Sequence, residues 1–382
     1  MKNLWDDALA SECSSDIDIR VYSSNLLGQS DELVLHGGGN TSIKSIVDGE
    51  EILYVKGSGW DLVSIQAEGF APVRMSSLLE MAQMSELSDS DMVSGQKAAM
   101  IDTTAPNPSV EAILHALIPY KVVDHTHADA VVTISNSVDG EAHIARLYPD
   151  FLIVPYVMPG FVLAQRIYEM TRDGFDWTSC GGIILHNHGI FTFDDNAKAS
   201  YTKMIDAVSR AEEFLDEYAT VELEVIEPIE YDISRLEIDS YIHIDQSPLA
   251  LHYSSQDDLR AKVTRGVLTP EHIIRTKRIP LVLEDDNIED ALEKYRNEYI
   301  AYFDTYAQDE IMLDPNPKYA VIKGFGVVTF GKTQREADII ADVIAHTMRA
   351  VLRADKLGGY QSISISDSFE MEYWELEQAK LK

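Results

Sequence analysis

Two short segments carry histidines at a spacing that suits metal binding. Asp124-His125-Thr126-His127 follows one apolar run, and His186-Asn187-His188-Gly189 follows another. In a β-strand, residues i and i+2 point to the same face, so His125 and His127 can present their imidazoles together. A third histidine from the second segment would complete a three-histidine site with an open coordination position. That ligand set is typical of catalytic rather than structural zinc.

Either His186 or His188 can supply the third ligand, because the two lie at i and i+2 and can face the same side. An internal repeat favours His188. The segment FGVVTF, which begins at Phe325, parallels the segment HGIFTF, which begins at His188. The glycine after His188 is kept in this copy as Gly326, whereas the histidine is not. We therefore predict one metal ion per chain, in the first half of the sequence only.

Glu111 is a candidate acid/base, fourteen residues before His125. It falls in the first turn of a helix predicted over residues 110–118, with Ser109 as the N-cap. A carboxylate near a metal can move a proton at the carbon next to a carbonyl, or act as a fourth ligand. An exposed glutamate stabilised by the helix dipole explains the spacing equally well. His115 shares the face of Glu111, and core packing is its favoured role.

Two glycine-rich stretches, Gly37–Asn40 and Gly57–Gly59, offer backbone N–H groups that can hold a phosphate. We predict a hairpin over residues 33–56 with a turn at Asp48-Gly49. The first glycine-rich stretch lies within this hairpin, and the second directly follows its last strand. Alone, each stretch is best explained as a tight turn. The sequence contains neither GxGxxG nor GxxxxGK[ST], so we predict no nucleotide cofactor. Side chains that add donors are those of Lys44, Lys56, Ser58 and Ser109.

Composition narrows the class of protein. The chain of 382 residues has a formal net charge of −33, which argues against nucleic-acid binding, because nucleic acids are bound by basic surfaces. An anionic substrate must therefore be held by local donors. Cys13 and Cys180 are too few for a cysteine-based zinc site. No apolar run reaches the ~20 residues of a membrane span, and the N-terminus lacks the apolar core of a secretion signal, so we expect a cytoplasmic protein.

The order of predicted elements indicates a duplicated α/β fold. Strands near His125 and His188 precede a long helix over residues 197–218, and the FGVVTF segment precedes a second long helix over 334–354. Another match pairs residues 269–280 with 108–119, although two generic strand–helix units can also look alike by chance. The predicted organisation is a catalytic domain over 1–225, an acidic connector over 226–258 and a degenerate repeat without metal ligands over 259–382.

Taken in order, these motifs resemble the class II aldolase/adducin family. The matching pieces are Gly39-Asn40-Thr41-Ser42, Lys56-Gly57-Ser58-Gly59, Pro108-Ser109-Val110-Glu111, His125-Thr126-His127, Pro155-Tyr156 and Asn187-His188-Gly189. The chain is more closely similar to the aldolase part of the bifunctional rhamnulose-1-phosphate aldolase/alcohol dehydrogenase type, through LHGGGNTS, HTH, RTKR-PLVL and the terminal EYW-LE-AKL. The dehydrogenase part of that type has no counterpart here, so we do not expect its activity.

The resemblance implies a three-layer α/β/α domain with a mainly antiparallel central sheet, in tetramers with sites at subunit interfaces. Zinc is bound in family members by the residues matching His125, His127 and His188. The residue matching Glu111 is the acid/base, and a tyrosine matching Tyr156, from a neighbouring subunit, donates a proton. Alone, Tyr156 is better explained as a core residue. Val110 replaces a second serine of the fuculose-phosphate enzymes. The positions that match the family's phosphate site are Gly39, Asn40, Ser58, Gly59 and Ser109.

Together these features predict a zinc-dependent lyase that reversibly cleaves a ketose 1-phosphate, of the rhamnulose 1-phosphate kind, to dihydroxyacetone phosphate and a hydroxyaldehyde. One alternative is a pentulose-phosphate 4-epimerase, which uses the same metal site. Another is a metal-free, adducin-like interaction module, which has no need of three histidines and Glu111 together. The expected partners are a small sugar phosphate and further copies of the chain, with no nucleic acid and no membrane.

Overall fold

The computed structural model describes residues 1–236, 238 and 241–379. The chain forms two units, each with a β-sheet of its own. The first unit contains Met1–Val131 and Ala142–Glu213, and the second contains Val132–Glu141 and the chain from Phe214 onward.

The first unit is built on a seven-stranded sheet. Its strands are β1 (Asn40–Val47), β2 (Glu50–Lys56), β3 (Phe70–Arg74), β4 (Val122–Thr126), β5 (Leu152–Val154), β6 (Ile183–Leu185) and β7 (Gly189–Asp194). The strand order is β3-β2-β1-β4-β7-β6-β5. Every neighbouring pair is antiparallel except β5 and β6, which are parallel. The predicted α/β fold with a mainly antiparallel central sheet is therefore confirmed.

Helices alternate with these strands along the chain. They are α1 (Asp7–Ala10), α2 (Asp16–Gly28), α3 (Met75–Ala82), α4 (Asp89–Ala98), α5 (Ala112–Leu117), α6 (Asp129–Ser135), α7 (Gly140–Leu147), α8 (Phe161–Thr171) and α9 (Ala197–Tyr218). The helices predicted over 197–218 and 334–354 correspond to α9 and to a helix of the second unit over Gln334–Lys356. The predicted hairpin corresponds to β1 and β2, and both turn residues, Asp48 and Gly49, have positive φ, as a two-residue turn of this kind requires.

Successive residues of β1 and β4 point to helices on opposite faces of the sheet, because side chains alternate along a strand. On one face, Asp124 accepts a hydrogen bond of 2.6 Å from Arg20 of α2 and another of 2.6 Å from Ser200 of α9. On the other face, Ser42 contacts His115 of α5, with 2.7 Å between the hydroxyl oxygen and Nδ1. The first unit therefore has the predicted three layers.

The second unit has a four-stranded sheet in the order β8-β11-β10-β9, with β9 and β10 parallel and the other pairs antiparallel. The strands are β8 (Tyr241–Asp245), β9 (Leu281–Leu283), β10 (Tyr319–Ile322) and β11 (Gly326–Gly331). The helices after residue 240 are α10 (Pro248–Ser254), α11 (Leu259–Val263), α12 (Ile273–Thr276), α13 (Ile288–Tyr306), α14 (Gln334–Lys356), α15 (Ile365–Tyr373) and α16 (Glu375–Gln378).

Two hydrophobic clusters cover the two faces of this second sheet. One cluster joins Val321 and Val327 of the sheet to Ile344 of α14, and the other joins Leu281 and Phe330 to residues of α13. Both helices are therefore amphipathic packing elements of the second unit. Among the helices of the described residues, none combines the length and apolar character needed to cross a membrane.

Two details differ from the sequence prediction. Residues 226–258, predicted as a connector, include β8 and α10, so this segment contributes a strand to the second sheet. Residues 237, 239 and 240 of the predicted connector, and 380–382 of the predicted repeat, lie outside the described residues. The predicted match of residues 269–280 with 108–119 does not fit the topology either. Helix α5 leads into β4, a central strand, whereas α12 leads into β9, an edge strand that pairs in parallel with its neighbour as β5 does.

Candidate functional site

Three histidine side chains meet at one end of β4. His125 lies in β4, His127 directly follows it, and His188 lies in the turn between β6 and β7. One nitrogen from each ring lies within 4.8 Å of the other two. The Nε2 atoms of His125 and His127 are 3.0 Å apart. The three residues predicted to bind metal are therefore brought together by the fold.

The pairing of β4 with β7 places these histidines beside one another. Thr126 is opposite Ile190 in the register, so the end of β4 lies against the start of β7. A Cβ atom at Gly189 would lie 2.4 Å from the Thr126 carbonyl oxygen and 2.9 Å from Cε1 of His125. Only glycine permits this close approach. The glycine next to His188 is therefore required by the contact between the two strands.

His125 is fully buried and held in one orientation. Its Nδ1 lies 3.1 Å from the Ile190 carbonyl oxygen, to which a protonated Nδ1 donates. Its ring stacks on Phe191, with 4.0 Å between ring centroids. A bond from Nδ1 to a carbonyl leaves Nε2 as the nitrogen available to a metal, which is the usual arrangement for a histidine ligand.

Glu111 is buried and faces the histidine cluster. Its Oε2 lies 3.5 Å from Nε2 of His125, and its Oε1 lies 3.9 Å from Nε2 of His188. The alternative of an exposed glutamate at a helix end therefore does not describe this residue. A buried carboxylate near three metal-type ligands can accept or deliver a proton, or act as a further ligand.

The helix that carries Glu111 begins later than predicted. Its first residue is Ala112, and Glu111 itself occupies the N-cap position with a non-helical backbone. Ser109 does not cap this helix through N2 or N3; its hydroxyl accepts a 3.2 Å bond from the Glu111 N–H. The Ser109 N–H donates to the Lys56 carbonyl at 3.1 Å, which ties the segment to the end of β2 and delays the helix start.

A buried hydrogen-bonded chain behind Glu111 was not predicted from the sequence. Asn40 donates from Nδ2 to Oε2 of Glu111 at 2.6 Å, and its Oδ1 contacts Nε2 of His115. Burial lowers the pKa of His115 well below its usual value, assisted by the nearby His125, Lys44 and Arg20. The sequence shows the i, i+4 spacing of Glu111 and His115, but from that spacing we predicted only a core-packing role for His115.

The three loops predicted to hold phosphate converge near this site. Lys56 donates from Nζ to the Gly37 carbonyl at 2.9 Å, and the Ser58 N–H donates to the Asn107 carbonyl at 2.9 Å. The backbone N–H of Ser58, which was expected to face an anion, is therefore used within the chain. Gly39 and Gly59 have positive φ, and Gly59 faces open space.

The structure gives different surroundings to two other candidate residues, Lys44 and Tyr156. Lys44 donates from Nζ to the carbonyls of Ile118 and Tyr120 at the end of α5, so it is a structural residue. Tyr156 follows β5, which pairs with β6, and the His186 N–H donates to the Val154 carbonyl at 2.9 Å. Tyr156 therefore follows the strand beside the one that leads into His188.

The donor set fits a divalent metal ion. Imidazole nitrogen is a preferred zinc ligand, and zinc–nitrogen bonds of the usual length place tetrahedral ligand nitrogens about 3.3 Å apart. The separations in the cluster, from 3.0 Å to at most 4.8 Å, bracket this value. His127 is partly exposed, which leaves a route for an ion and a substrate. His125, His127 and His188 can therefore hold a metal with a coordination position left open.

Two families match successive parts of the chain. Residues 21–215 match the class II aldolase and adducin N-terminal domain, and residues 221–381 match the second domain of class II aldolase. The chain is similar to an uncharacterized oxidoreductase, YuxG, of Bacillus subtilis (strain 168), with 29% identity over 419 aligned positions that include all of this chain. The chain spans 60% of the length of that relative.

Two solved structures are each similar to somewhat more than half of the chain. The N-terminal class II aldolase domain of a conserved protein from Thermoplasma acidophilum is 40% identical, with a TM-score of 0.51, over 56% of this chain and 99% of that one. The l-fuculose-1-phosphate aldolase from Thermus thermophilus is 15% identical, with a TM-score of 0.34, over 52% of this chain and 95% of that one.

Proposed function

The chain belongs to the class II aldolase and adducin family, and we propose that it is a metal-dependent lyase that reversibly cleaves a ketose 1-phosphate. The proposed substrate is of the rhamnulose 1-phosphate kind, and the products are dihydroxyacetone phosphate and a hydroxyaldehyde such as lactaldehyde. The observation that carries this proposal is the buried carboxylate of Glu111, 3.5 Å from His125 and 3.9 Å from His188 within a three-imidazole cluster. An aldol cleavage needs both a proton-transfer group and a centre of positive charge at this distance.

We assign the bound ion to zinc, held by His125, His127 and His188. Zinc would supply positive charge beside the oxygen atoms on which negative charge develops as the carbon–carbon bond breaks. The histidine set alone also suits other divalent transition metals. The contact of His125 with the Ile190 carbonyl fixes its ring for this task, because it directs Nε2 toward the cluster.

In this proposal Glu111 transfers the proton at the carbon that becomes nucleophilic in the condensation direction. Its Oε2 is occupied by the hydrogen bond from Asn40, at 2.6 Å. Its Oε1 is buried and has no hydrogen-bond partner among the described residues. Oε1 is therefore the oxygen available to a substrate proton. Burial also keeps bulk water from competing for this proton.

We propose that the phosphate is held where the loops containing Gly39, Ser58 and Gly59 meet. The net charge of −33 makes long-range attraction of a phosphate unfavourable, so such a site depends on local donors. Asn40 directly follows Gly39, and Ser109 lies in the separate loop before α5, although both already have partners within the chain. The hydroxyl of Ser58 and the open surface around Gly59 are accordingly the favoured contacts.

We assign Tyr156 of a neighbouring copy to the proton on the aldehyde-side oxygen. This assignment follows the family resemblance, in which the matching tyrosine comes from a neighbouring subunit, and it requires an oligomer. The proposed assembly is a homo-oligomer with sites between subunits.

A coupled assay for release of dihydroxyacetone phosphate tests the proposed function. The substrates are rhamnulose 1-phosphate, fuculose 1-phosphate and ribulose 1-phosphate, each with and without a chelator. We expect release from at least one of them, loss of activity after chelation and recovery when zinc is returned. Activity that persists after complete removal of metal would contradict the zinc assignment.

Other outcomes of the same assay identify other functions. Interconversion of pentulose phosphates without release of dihydroxyacetone phosphate indicates a 4-epimerase. Bound metal below about a tenth of an equivalent per chain, with no turnover on any sugar phosphate, indicates an interaction module, because such a module does not need an open zinc site.

A further inference from the structure

Three buried polar side chains lie in series behind Glu111. Asn40 contacts the Glu111 carboxylate, His115 contacts Asn40, and Ser42 contacts His115. His115 and Ser42 are completely buried, and Asn40 is 7% exposed. Neither His115 nor Ser42 can therefore touch a substrate. An effect of these two residues on the reaction must pass through Asn40 and Glu111.

The direction of every hydrogen bond in this series follows from the carboxylate. An ionised carboxylate only accepts, so Asn40 must turn its NH₂ group toward Glu111. The carbonyl oxygen of Asn40 then faces His115, whose Nε2 must carry the proton and donate it. Burial disfavours a second proton on the ring, so Nδ1 accepts from the Ser42 hydroxyl, 2.7 Å away.

Without His115, the carbonyl oxygen of Asn40 loses its donor, and the Glu111 carboxylate alone selects the orientation of the amide. Rotation by half a turn would place the Asn40 carbonyl oxygen against the Glu111 carboxylate, which is a repulsive contact. Asn40 is also anchored by its backbone, because it pairs with His125 at the start of β1. The backbone thus sets the position of Asn40, and the contacts with Glu111 and His115 together select and hold the amide orientation.

We propose that His115 is a positioning residue that, together with Ser42, orients Asn40 so that Asn40 holds Oε2 of Glu111 and leaves Oε1 turned toward the histidine cluster. This inference rests on the proposed function, because it assigns a role to Glu111 in proton transfer. It also changes the expected role of Asn40. An asparagine that binds phosphate would affect substrate binding, whereas one that orients Glu111 affects the chemical step.

The relation between kcat and KM separates these two roles. The variants are His115→Phe, His115→Gln and Ser42→Ala, each full-length and loaded with zinc. We expect His115→Phe to lower kcat by about 10- to 100-fold with KM and zinc content unchanged, as is usual when the partner of an active-site group is removed. His115→Gln can still donate an N–H to Asn40 and should recover part of that loss. Ser42→Ala should have the smallest effect of the three.

Ser23→Ala is the matched control. Ser23 is as buried as Ser42, but its hydroxyl bonds only to backbone carbonyls of its own helix, such as that of Ile19 at 2.8 Å. We expect unchanged kcat. Wild-type kcat in His115→Phe with full zinc content would overturn the proposal. A raised KM with unchanged kcat in His115→Phe would also overturn it, and would favour the phosphate role of Asn40.

A measurement on the metal-free protein keeps this test separate from the proposed function. Nitrogen-15 NMR of protein labelled at its 11 histidines reports which ring nitrogen carries the proton, and the His115 signal is assigned by its loss in His115→Gln. We expect the Nε2–H form in wild type and a weakened preference for it in Asn40→Leu. The Nδ1–H form would overturn the proposal. If wild type cleaves no ketose 1-phosphate, the proposed function fails, while this NMR result still decides whether His115 donates to Asn40.

Discussion

The two sheets of this protein share an arrangement of four strands but not the chemistry at its end. In the first unit the order β4-β7-β6-β5 has two antiparallel pairs followed by one parallel pair. In the second unit β8-β11-β10-β9 has the same sequence of pairs. The second strand of each order is also followed directly along the chain by a long helix, α9 after β7 and α14 after β11.

The correspondence extends to single hydrogen bonds. The His188 N–H donates to Leu185 at 3.1 Å, and the Phe325 N–H donates to Ile322 at 3.0 Å. The hydroxyl of Thr192 donates to the Ser200 carbonyl, eight residues later, and that of Thr329 donates to Ala337, again eight residues later. The register then aligns His125, His127 and His188 with Ile244, Gln246 and Phe325. The same backbone therefore persists without the ligands, and the chemistry depends on the side chains placed on it.

The neighbouring strand is the second difference. In the first unit β4 is central, and β1 lies beside it with Asn40 opposite His125. In the second unit β8 is at the edge of its sheet. Among the described residues of the second unit, the sheet therefore has no counterpart of β1, the strand that carries Asn40. A three-histidine set placed on the second sheet would still lack the group that holds a catalytic carboxylate.

The largest expected effect comes from replacing His188 of the first unit by phenylalanine, the residue at the aligned position of the second unit. His188→Phe copies Phe325 and removes one of three nitrogen ligands, so we expect zinc below about a tenth of an equivalent per chain and turnover lowered at least about 100-fold. Metal analysis and the dihydroxyacetone phosphate assay measure the two effects. Phe325→Leu is the matched control and should change neither. Full zinc and full turnover in His188→Phe would mean that the metal lies elsewhere.

Removing the carboxylate that we propose as the acid/base should separate turnover from metal binding. In Glu111→Gln the three histidines remain, so we expect normal zinc content with turnover lowered by about 100- to 10,000-fold, the usual range for loss of a general acid or base. The control is Glu372→Gln in the second unit. Glu372 is also buried, and it accepts a 2.8 Å hydrogen bond from Tyr299. We expect that control to alter stability but not turnover. Turnover within a few-fold of wild type in Glu111→Gln would remove Glu111 from the mechanism.

Local patterns in the sequence were enough to predict several of the structural elements compared above. The Asp48-Gly49 turn, the α9 helix and the strand before His125 each follow from a short stretch of residues. Strand β8 was missed because its exposed edge position leaves a mixed sequence, YIHID, instead of an apolar run. A polar edge strand is difficult to distinguish from a connector when no neighbouring strand is known.

The contacts that define the site depend on pairing between distant residues. Asn40 and Glu111 are 71 residues apart, and the buried ion pair of Arg20 with Asp124 joins residues 104 apart. Residue spacing placed the histidines on one face, but it could not reveal that Asn40 faces a carboxylate. That contact follows from the register of β1 against β4, which a single sequence does not specify.

The two glycines that begin β7 and β11 allow a smaller test. A Cβ atom at Gly189 would lie 2.4 Å from the Thr126 carbonyl oxygen, and one at Gly326 would lie 2.3 Å from that of Asp245. We expect Gly189→Ala to lower the free energy of unfolding by about 1–3 kcal/mol through overpacking. Gly326→Ala should lower it further, because Gly326 also has a φ of +129°. Only Gly189→Ala should also weaken zinc affinity, because its Cβ would crowd His125 and His127. Equal losses of zinc affinity in both variants would contradict the assignment of the site to the first unit.

The last expected effect concerns stability at high pH alone, and it comes from a lysine buried in each unit. Lys44 of β1 and Lys277 after α12 both have a pKa lowered from 10.5 to about 8, and burial is the main cause in each case. Above pH 8 the folded chain releases these protons, whereas the unfolded chain keeps them until about pH 10.5. Stability should therefore rise with pH through this window.

Lys44→Met should remove only the part of this rise that belongs to the first unit. For Lys44 the interval between about 8 and 10.5 corresponds to at most about 3 kcal/mol. Denaturant unfolding of wild type, Lys44→Met and Lys277→Met at a series of pH values between 7 and 10 measures the slopes. Each variant should retain the slope due to the other lysine, because the two residues lie in different units. Identical slopes in wild type and Lys44→Met would show that Lys44 keeps an ordinary pKa, and its contacts with Ile118 and Tyr120 would then be those of a permanently charged ammonium group.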